Sequence, residues 1–386
     1  MPTKFSNHRG DSSVRFLWRS FLFLILVAVL AGGGIFYIYG GGQPYRNLST
    51  PPIYPDSALE IAYTSSEPLG NVTTTSDGRI FFSIHPEAGA LGPKLLELVN
   101  GEAVPWPNEG TSRNSFPYLL GLAADQQNRL WLLDHGFHGF KEAQLTSYDL
   151  ETGVLLSRHK FGQVAQWGSF LNDLAVSADG KFIYIADASI FRRSPAIIVY
   201  DIENNREWRA LHGHSSVRVQ DWIIRNPRKD MTYFMDKIPL KVGVDGLVLD
   251  QAGEYLYFGA VSHDGLFRVP TSALNNPRER AEPYVERVGT KPLSDGLSID
   301  VENNIYITDV EHGGIARMMP DGSLETLISS PKVRWADGIS YGSDGYYYFT
   351  DSAMPDMILK SRGELTVTSP YYLYRFKADI PGIPGR

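Results

Sequence analysis

A two-strand pattern recurs along this chain and constrains its fold more than any other feature. In the clearest copy, residues 293–309 (LSDGLSIDVENNIYITD), an alternating strand is followed by an Asn-rich turn and a β-branched second strand. Asp295 opens the first strand of this copy and Asp309 closes the second. Related copies begin near Gly70, Leu120, Leu171, Val244 and Ala336. About six copies at a spacing of roughly 40–50 residues, each with several short strands, predict an all-β fold, a six-bladed β-propeller.

The length and composition limit both the number of domains and the classes of function. A six-bladed propeller fills roughly 300 residues, so one such domain plus an N-terminal extension accounts for the 386 residues. The net charge of −7 argues against a nucleic-acid partner, because phosphate binding needs a basic surface. The chain has no cysteine, which excludes disulfides, a thiol nucleophile and zinc–thiolate sites. The sequence motifs of serine hydrolases, nucleotide-binding loops and zinc proteases are also absent.

The N-terminus has the pattern of a membrane signal. Residues 1–19 are a basic n-region, and the apolar run within residues 20–40 is long enough to span a bilayer. The positive-inside rule keeps the basic end in the cytoplasm and leaves the propeller extracytoplasmic, in the periplasm or outside the cell. The run continues through residues 35–38, which favours a transmembrane signal anchor. Cleavage of a signal peptide after Ala31 is the alternative, and it would give a secreted protein.

The segment after the apolar run is a spacer that leads into the propeller. Residues 41–57 are rich in Gly and Pro, a composition typical of an extended, semi-rigid linker. The propeller is expected over residues 58–386. Residues 58–63 have strand character, and we expect them to complete the last blade by pairing near residues 371–376. Such pairing closes the ring and removes an exposed sheet edge.

The third and fourth copies contain long ordered strings that carry a family resemblance. These strings occupy residues 184–188 (YIADA), 197–202 (IIVYDI), 205–209 (NREWR), 256–260 (LYFGA) and 265–274 (GLFRVPTSAL). At these residues the chain resembles the yellow / major royal jelly protein family, within the broader group of six-bladed propellers that includes gluconolactonase and the SMP-30 lactonases. The resemblance covers residues 58–376 and implies a small-molecule site at one mouth of the central channel.

The resemblance implies more than one activity. The lactonases of the wider group use a divalent metal, usually calcium, on the propeller axis. Insect yellow-type proteins are associated with catechol pigment chemistry or bind biogenic amines, and microbial members are described as related to dopachrome-converting enzymes. We therefore expect a divalent-metal-dependent lactone hydrolase or a dopachrome-type isomerase. A non-catalytic protein that binds small aromatic ligands is the alternative. In each case the partner is a small molecule, and the N-terminal helix adds a membrane contact.

Residues that open the inner strands of a propeller converge on its axis near one mouth. In this chain they include Asn172, Asp245 and Asp295, and carboxylates that face one another need a counter-charge. A hard cation with oxygen ligands supplies it, so we expect these three residues to hold a divalent metal, Ca²⁺. The lactonases carry a Glu where this chain has residues 69–71 (LGN), and an Asn where it has Asp245. A shifted metal and no metal both remain open, and Asp-Gly before a strand is also ordinary turn chemistry.

Histidines and aromatic residues near these strands are candidates for the rest of the site. Histidines follow several second strands, and His263 and His312 are favoured as proton carriers because their blades also offer an axial Asp. His135 and His138 are further loop candidates. The ligand pocket is predicted to include Trp167, Phe170, Trp335 and Asp337. Ordinary loop histidines and blade-packing aromatic residues are the alternative interpretation.

One spacing between copies is longer than the others. Residues 203–243 separate the third and fourth copies and are rich in charged and aromatic residues. Long insertions at a junction of this kind are often functional loops that cover a site. The sequence therefore predicts a lid over the mouth of the channel.

Overall fold

A computed structural model describes residues 9–386, and for residues 9–14 it describes the backbone alone. Lys4 of the predicted n-region therefore lies outside the described residues. Six four-stranded antiparallel sheets form the blades. The inner strands of neighbouring blades contact one another in a closed cycle. The predicted six-bladed β-propeller is confirmed.

The strands of each blade follow one another outward from the channel. From the innermost strand outward, they are Leu69–Thr74, Ile80–Ile84, Leu95–Val99 and Glu102–Pro105 in blade 1; Leu119–Ala124, Arg129–Asp134, Gln144–Asp149 and Leu155–Lys160 in blade 2; Leu171–Val176, Phe182–Asp187, Ala196–Asp201 and Arg206–Ala210 in blade 3; Val244–Leu249, Tyr255–Ala260, Gly265–Pro270 and Glu286–Thr290 in blade 4; Leu297–Ile299, Ile305–Asp309, Gly314–Met318 and Leu324–Ser329 in blade 5; and Ala336–Tyr341, Tyr347–Asp351, Tyr371–Phe376 and Glu60–Ser65 in blade 6. Blade 6 thus takes its outermost strand from the beginning of the propeller.

The ring is closed by this pairing between the two ends of the propeller. Glu60–Ser65 runs antiparallel to Tyr371–Phe376, with Glu60 opposite Arg375 and Ser65 opposite Tyr371. This is the closure that the sequence predicted. Opening the ring therefore requires breaking a four-stranded sheet.

The core lies between the blades, because each sheet is covered on both faces. Ile185 of blade 3 is buried in one cluster with Trp131 and Leu133 of blade 2. Blades 5 and 6 meet through Tyr306 and Tyr347, whose rings stack with centroids 4.2 Å apart. The β-branched and aromatic residues that form the strands are therefore also the residues that pack one blade on the next.

Most inner strands begin with an irregular pairing register. The register shifts between Leu69 and Val72, Leu119 and Gly121, Leu171 and Leu174, Val244 and Leu247, and Ala336 and Ile339. Bulges of this kind re-aim side chains and are common beside functional sites. Here they fall at Asn71, Asn172, Asp245 and Asp337, which line the channel or its mouth.

Steric contact between neighbouring blades explains why glycine follows Asp in the repeated Asp-Gly pair. A Cβ atom on Gly246 would lie 2.5 Å from the carbonyl oxygen of Asp295 in the next blade. A Cβ atom on Gly296 would lie 2.4 Å from the carbonyl oxygen of Asp337. The inner strands of neighbouring blades approach too closely there for any side chain. Asp-Gly therefore recurs because the contact between blades recurs, and turn chemistry alone does not explain it.

The longest helix is N-terminal and lies outside the propeller. It spans Arg9–Tyr39, and 31 residues make a helix about 46 Å long. Its segment Arg15–Tyr39 is exposed and is long and apolar enough to cross a membrane, whose hydrocarbon core is about 30 Å thick. The shorter helices are Glu109–Asn114, Gly136–Gly139, Thr271–Leu274, Met354–Met357 and Arg362–Thr368. The linker after the long helix returns to the propeller, where Gln43–Pro44 pairs with Trp222–Ile223.

The insertion before blade 4 folds as two small hairpins. Arg225–Asn226 pairs with Lys229–Asp230, and Thr232–Tyr233 pairs with Ile238–Pro239. The Asn226 side-chain amide donates hydrogen bonds to the carbonyl oxygens of Val310 and Arg334, at 2.8 and 2.6 Å. These two hydrogen bonds attach the insertion to blades 5 and 6.

The last described residues lie across the far end of the channel. The Arg386 carbonyl oxygen accepts hydrogen bonds from the Tyr341 amide at 3.0 Å and the Ser298 hydroxyl at 2.6 Å. The Arg386 guanidinium donates to the carbonyl oxygen of Leu249 at 3.1 Å. Since all three partners belong to inner strands, this segment narrows the channel at that end to a cavity of about 110 Å³.

Candidate functional site

The open mouth of the channel leads into a cavity of about 310 Å³. Its floor lies where the inner strands of the blades begin, and it contains Asn172, Asp245, Asp295 and Asp337. Its walls are mainly apolar and include Leu120, Phe170, Val242, Val261 and Trp335. Its roof comes from the insertion and from the helix region of blade 6, through Tyr233, Phe234, Leu240, Met354 and Ile358. Six of the nine site residues predicted from the sequence line this one cavity.

The floor carboxylates are buried and poorly neutralised. Asp295 accepts a 2.7 Å hydrogen bond from the Trp335 indole, and Asp245 accepts a 2.6 Å bond from the Asn172 amide. Burial raises the pKa of Asp295 to about 6. Burial, together with the charge of Asp295, also raises the pKa values of Asp245 and Asp337 well above the usual range. The floor therefore holds more negative charge than its surroundings stabilise.

A fourth acid joins the set from just below the floor. Asp173 accepts a hydrogen bond from the Asn71 side-chain amide across the channel. Burial and the charge of Asp295 raise the pKa of Asp173 to about 7. The sequence prediction passed over Asp173, although it directly follows Asn172 within the same bulge. A bulge places two consecutive side chains near the axis where a regular strand would place one.

In the described part of the chain, no basic side chain supplies the missing charge directly. Among the described side chains, residues 15–386, none of these four carboxylates forms an ion pair with Lys or Arg. Lys291 lowers the pKa of Asp295. However, its ammonium donates instead to Ala260 O, Pro292 O and Ser294 Oγ, at 2.9, 3.1 and 2.8 Å. Burial lowers the pKa of Lys291 itself to about 7, so it is an incomplete counter-charge.

The donor set of the floor fits a hard divalent cation. Its carboxylate and amide oxygens are the ligands that calcium prefers, and its surplus negative charge favours a cation. In the described part of the chain, no three His, Asp or Glu side chains are already arranged as a metal cage. Asp245 and Asp295 are instead directed to their hydrogen-bond donors, Asn172 and Trp335. The residues present therefore suit calcium by chemistry: Asp245 would exchange its hydrogen bond from Asn172 for ligation, whereas Asp295 bonds Trp335 through Oδ2 and could ligate through Oδ1.

A histidine–carboxylate pair lies on the cavity wall. His138 Nε2 is 2.7 Å from Glu87 Oε1, and both residues line the cavity. Burial raises the pKa of Glu87, but the hydrogen bond and charge of His138 outweigh it and lower the pKa to about 2. The second ring nitrogen of His138, Nδ1, is buried and has no hydrogen-bond partner among the described residues. With Nε2–H donated to Glu87, Nδ1 keeps a free lone pair that can accept a proton.

Local structure fixes the position of this pair. The His138 ring stacks on Phe170, with centroids 4.6 Å apart. The His138 backbone amide donates to His135 Nδ1 at 3.0 Å, and the Glu87 amide donates to His85 Nδ1 at 3.2 Å. Burial lowers the pKa of His85 to about 4 and that of His135 to about 3, so both are neutral positioning groups.

The turn that carries His138 has unusual backbone geometry. Phe137 and His138 have φ values of 53° and 54°, in the left-handed region that such side chains rarely adopt. Gly136 and Gly139 on either side also have positive φ. Strained residues of this kind persist where the surroundings over-determine them, and they cluster at functional sites.

The other three predicted site residues lie away from the cavity. His263 accepts a 2.8 Å hydrogen bond from the Gly265 amide through Nδ1 and is buried. His312 Nδ1 is 2.9 Å from Asp309, whose hydrogen bond raises the pKa of His312. Trp167 is 61 % exposed. His263 and His312 hold local turns, whereas His85 and His138, the latter a further loop candidate from the sequence, line the cavity together with Glu87.

Comparison with solved structures finds the same architecture at low sequence identity. A luciferin-regenerating enzyme is 9% identical with a TM-score of 0.56, over 85% of this chain and 97% of that chain. A gluconolactonase from Xanthomonas campestris is 14% identical with a TM-score of 0.54, over 89% and 98%. Regucalcin from Agrobacterium tumefaciens, a calcium-binding protein, is 14% identical with a TM-score of 0.53, over 84% and 94%. Identities this low demonstrate a shared fold only.

Comparison with sequences gives a more specific result. None of the curated protein sequences matches this chain. A family model described as "Major royal jelly protein" matches residues 119–357. The match begins at the inner strand of blade 2 and ends in the helix region of blade 6, so it includes most of the cavity lining.

Proposed function

The chain belongs to the major royal jelly protein family, and on that premise we propose that it is a membrane-anchored, divalent-cation-dependent hydrolase of small apolar lactones or esters. One observation carries this proposal. A single cavity combines a floor of unneutralised carboxylates with a wall that includes His138, whose buried Nδ1 has no hydrogen-bond partner among the described residues. The first group suits a cation and the second suits proton transfer, and hydrolysis of an acyl bond uses both.

The cation is assigned to the cavity floor. Asn172, Asp245 and Asp295 would hold it, with Asp337 beside them. When bound, a divalent cation supplies Lewis-acid polarisation of the substrate carbonyl. The indole N–H of Trp335 holds the Asp295 carboxylate in place at 2.7 Å. Trp335 thereby acts as a positioning residue for the floor.

The proton is assigned to the histidine–carboxylate pair. His138 Nδ1 removes a proton from the attacking water and returns it to the leaving alkoxide oxygen when the acyl C–O bond breaks. Glu87 accepts the hydrogen bond from Nε2 and stabilises the imidazolium that forms between these two steps. This assignment replaces His263 and His312, which do not line the cavity.

The walls select the type of substrate. Phe170, Trp335, Val242, Val261 and Ile358 offer an apolar surface with few hydrogen-bonding groups. A polyhydroxylated sugar lactone would leave its hydroxyl groups unpaired against such walls, which costs binding energy. An alkyl- or aryl-substituted lactone buries its substituent there instead. We therefore propose an apolar substrate, although the fold is shared with a gluconolactonase.

The test is hydrolysis of a panel of alkyl γ- and δ-lactones by the full chain in detergent. We expect calcium-dependent release of hydroxy acid that chelation and Asp295→Asn abolish and that His138→Gln strongly slows. His312→Gln is the matched control, because His312 binds an acid outside the cavity. Binding of lactones or aromatic molecules without turnover by the wild type would replace hydrolysis with ligand capture. Isomerisation of a quinone-type substrate without hydrolysis would favour the isomerase.

The proposed location is a membrane anchor with the propeller on the extracytoplasmic side. Arg15 and Arg19 flank the start of the apolar segment, whereas Tyr39 and Gly40 end it. Protease digestion of intact cells tests this arrangement. We expect the protease to remove a C-terminal epitope, because the propeller lies outside the cytoplasmic membrane. Protection of that epitope would contradict the proposed topology.

A further inference from the structure

Exposed apolar side chains surround the mouth of the cavity. This rim consists of Phe140, Trp167, Phe191, Phe234, Met235 and Leu359. Phe191, Phe234 and Leu359 also line the cavity. Met235 and Leu359 are 90% and 78% exposed. A connected set of large apolar side chains in water marks a surface that another apolar phase covers.

Aromatic contacts connect one side of the rim. Phe140 packs edge-on against Trp167, with ring centroids 5.5 Å apart, and against Phe191, at 6.2 Å. Trp167, predicted from the sequence as a pocket residue, therefore belongs to the rim. On the other side, Phe234 and Met235 form the tip of the second hairpin of the insertion, where their φ values of 51° and 59° are left-handed.

The N-terminal helix ends at this same rim. The Tyr39 hydroxyl donates a 2.6 Å hydrogen bond to the carbonyl oxygen of Phe191, and Tyr39 lines the cavity. The Arg193 guanidinium lies 4.8 Å from the centroid of the Tyr39 ring. The Lys241 ammonium donates to the Gly40 carbonyl oxygen at 3.3 Å. No flexible spacer therefore separates the end of the apolar helix from the mouth of the cavity.

Charge and residue type around the mouth match a lipid surface. Residues 225–240 contain four basic and two acidic residues, whereas the whole chain has a net charge of −7. Basic residues beside a membrane favour anionic headgroups. Trp and Tyr are enriched at the boundary between lipid and water, where Trp167 and Tyr39 would lie. Phe234, Met235 and Leu359 would then reach into the acyl region.

We infer that the rim inserts into the interface of the bilayer that the N-terminal helix spans, so that the cavity opens toward lipid and receives an apolar ester or lactone dissolved in it. This inference rests on the proposed membrane anchoring, and it adds the route by which the substrate arrives. Apolar roof residues continue inward from the rim through Ile238, Leu240 and Ile358. An alkyl chain can follow that wall from the bilayer to the carboxylate floor.

Fluorescent labelling of the full chain tests the surface. Because the chain has no cysteine, single-cysteine variants take a label at one position only. Met235→Cys and Leu359→Cys place the polarity-sensitive dye NBD on the rim. Gln251→Cys places it at an exposed turn of blade 4 between the inner and second strands, at the other mouth. The labelled chains are reconstituted in phosphatidylcholine–phosphatidylglycerol vesicles with or without doxyl-labelled lipid.

We expect blue-shifted emission from both rim labels and loss of that emission with doxyl lipid, and neither change at Gln251→Cys. Rim labels that behave like the control would overturn the inference. A blue shift without quenching by doxyl lipid would also overturn it, because the rim would then be covered by protein and not by lipid. The readout needs no catalytic activity, so its failure and the failure of the proposed hydrolase are distinguishable.

Chemical modification tests the direction in which the cavity opens. Ile358→Cys places a thiol on the cavity wall. In vesicles, we expect an apolar methanethiosulfonate that partitions into lipid to modify this thiol faster than a quaternary-ammonium methanethiosulfonate. Gln251→Cys should show the reverse order. Faster reaction of Ile358→Cys with the charged reagent would place the entrance in water and contradict the inference.

Discussion

The indole nitrogen of Trp335 donates a 2.7 Å hydrogen bond to a carboxylate oxygen of Asp295. This bond joins blade 6 to blade 5 at the cavity floor, between an aromatic wall residue and a carboxylate assigned to the cation. A hydrogen bond donated to a carboxylate favours its ionised form. The bond therefore opposes the effect of burial, which raises the pKa of Asp295 to about 6.

Removing this hydrogen bond is expected to weaken cation binding. Trp335→Phe keeps an aromatic wall but removes the N–H donor, so the proton competes better for Asp295. We expect calcium affinity to fall at least about tenfold, because a hydrogen bond to a charged group contributes about 1.5–3 kcal/mol and about 1.4 kcal/mol is a factor of ten. Isothermal titration calorimetry measures the change. Trp131→Phe is the matched control, since its indole donates a 2.7 Å bond to Asp125, outside the cavity; equal losses in both variants would contradict the role of Trp335.

Neutralising one floor acid is expected to weaken cation binding and to stabilise the cation-free fold. Burial and the charge of Asp295 raise the pKa of Asp337, so its ionised form destabilises the cation-free fold at pH 7. Asp337→Asn removes that charge and should raise the melting temperature in chelator by about 1–2 °C, the effect of roughly 1 kcal/mol on a domain of more than 300 residues. Calcium should then stabilise the variant less than the wild type. Thermal unfolding in chelator and in calcium measures both the change in melting temperature and the stabilisation by calcium. A lower melting temperature in chelator would count against electrostatic repulsion at the floor.

The histidine–carboxylate pair is expected to control turnover more than substrate binding. His138→Gln removes the proton acceptor and should lower kcat by about 10²–10⁴-fold, the usual contribution of general acid–base catalysis. Glu87→Gln keeps a hydrogen-bond acceptor but removes the charge that stabilises the imidazolium. It should lower kcat less and move the acidic limb of the pH–rate profile to lower pH. Steady-state kinetics on the best lactone of the panel give both values; a change in KM alone would remove His138 from proton transfer.

The buried His85 is expected to make the fold sensitive to acid. Burial lowers its pKa to about 4 in the folded chain, whereas the unfolded chain takes up this proton below about pH 6.5. Proton uptake by the unfolded chain therefore leaves the unfolding free energy unchanged above pH 6.5. It lowers the unfolding free energy as the pH falls from 6.5 to 4. At pH 5 the loss is about 2 kcal/mol.

His85→Asn tests this pH dependence without removing the local hydrogen bond. The Asn side-chain oxygen can accept from the Glu87 amide as His85 Nδ1 does at 3.2 Å. Between pH 7.5 and pH 5, the variant should lose about 2 kcal/mol less unfolding free energy than the wild type. His214→Asn is the control, because His214 accepts from the Ser216 amide in the same way at a less buried position. Identical pH dependence in His85→Asn and the wild type would show that another group dominates.

The repeat was sufficient to predict the blades and the closure of the ring, because each blade is a local unit with its own strands and turns. The repeat did not show whether the Asp-Gly pairs arise from turn chemistry or from close contact between blades. The short distance from a Cβ on Gly296 to the Asp337 carbonyl oxygen, 2.4 Å, depends on how neighbouring blades meet. Such a contact has no signal within a single copy of the repeat.

The histidine–carboxylate pair illustrates why part of the site escaped prediction. Glu87 and His138 lie on loops of different blades, 51 residues apart, and no spacing links them. The prediction favoured His263 and His312 because their blades carry axial acids, but both side chains bind groups in their own turns. Trp167 and Phe170 are three residues apart, yet only Phe170 lines the cavity, since Trp167 is on the exposed rim.

Calorimetric titration of calcium into the full chain tests most directly whether the cavity floor binds a divalent cation. We predict one binding event in the wild type, its loss in Asp295→Asn, and its retention in Asp309→Asn. Asp309 is the matched control because it lies on the same blade outside the cavity, where an Asn can still accept from the Glu311 and His312 amides. No heat of binding in the wild type, or equal binding in Asp295→Asn, would contradict a cation site at the floor.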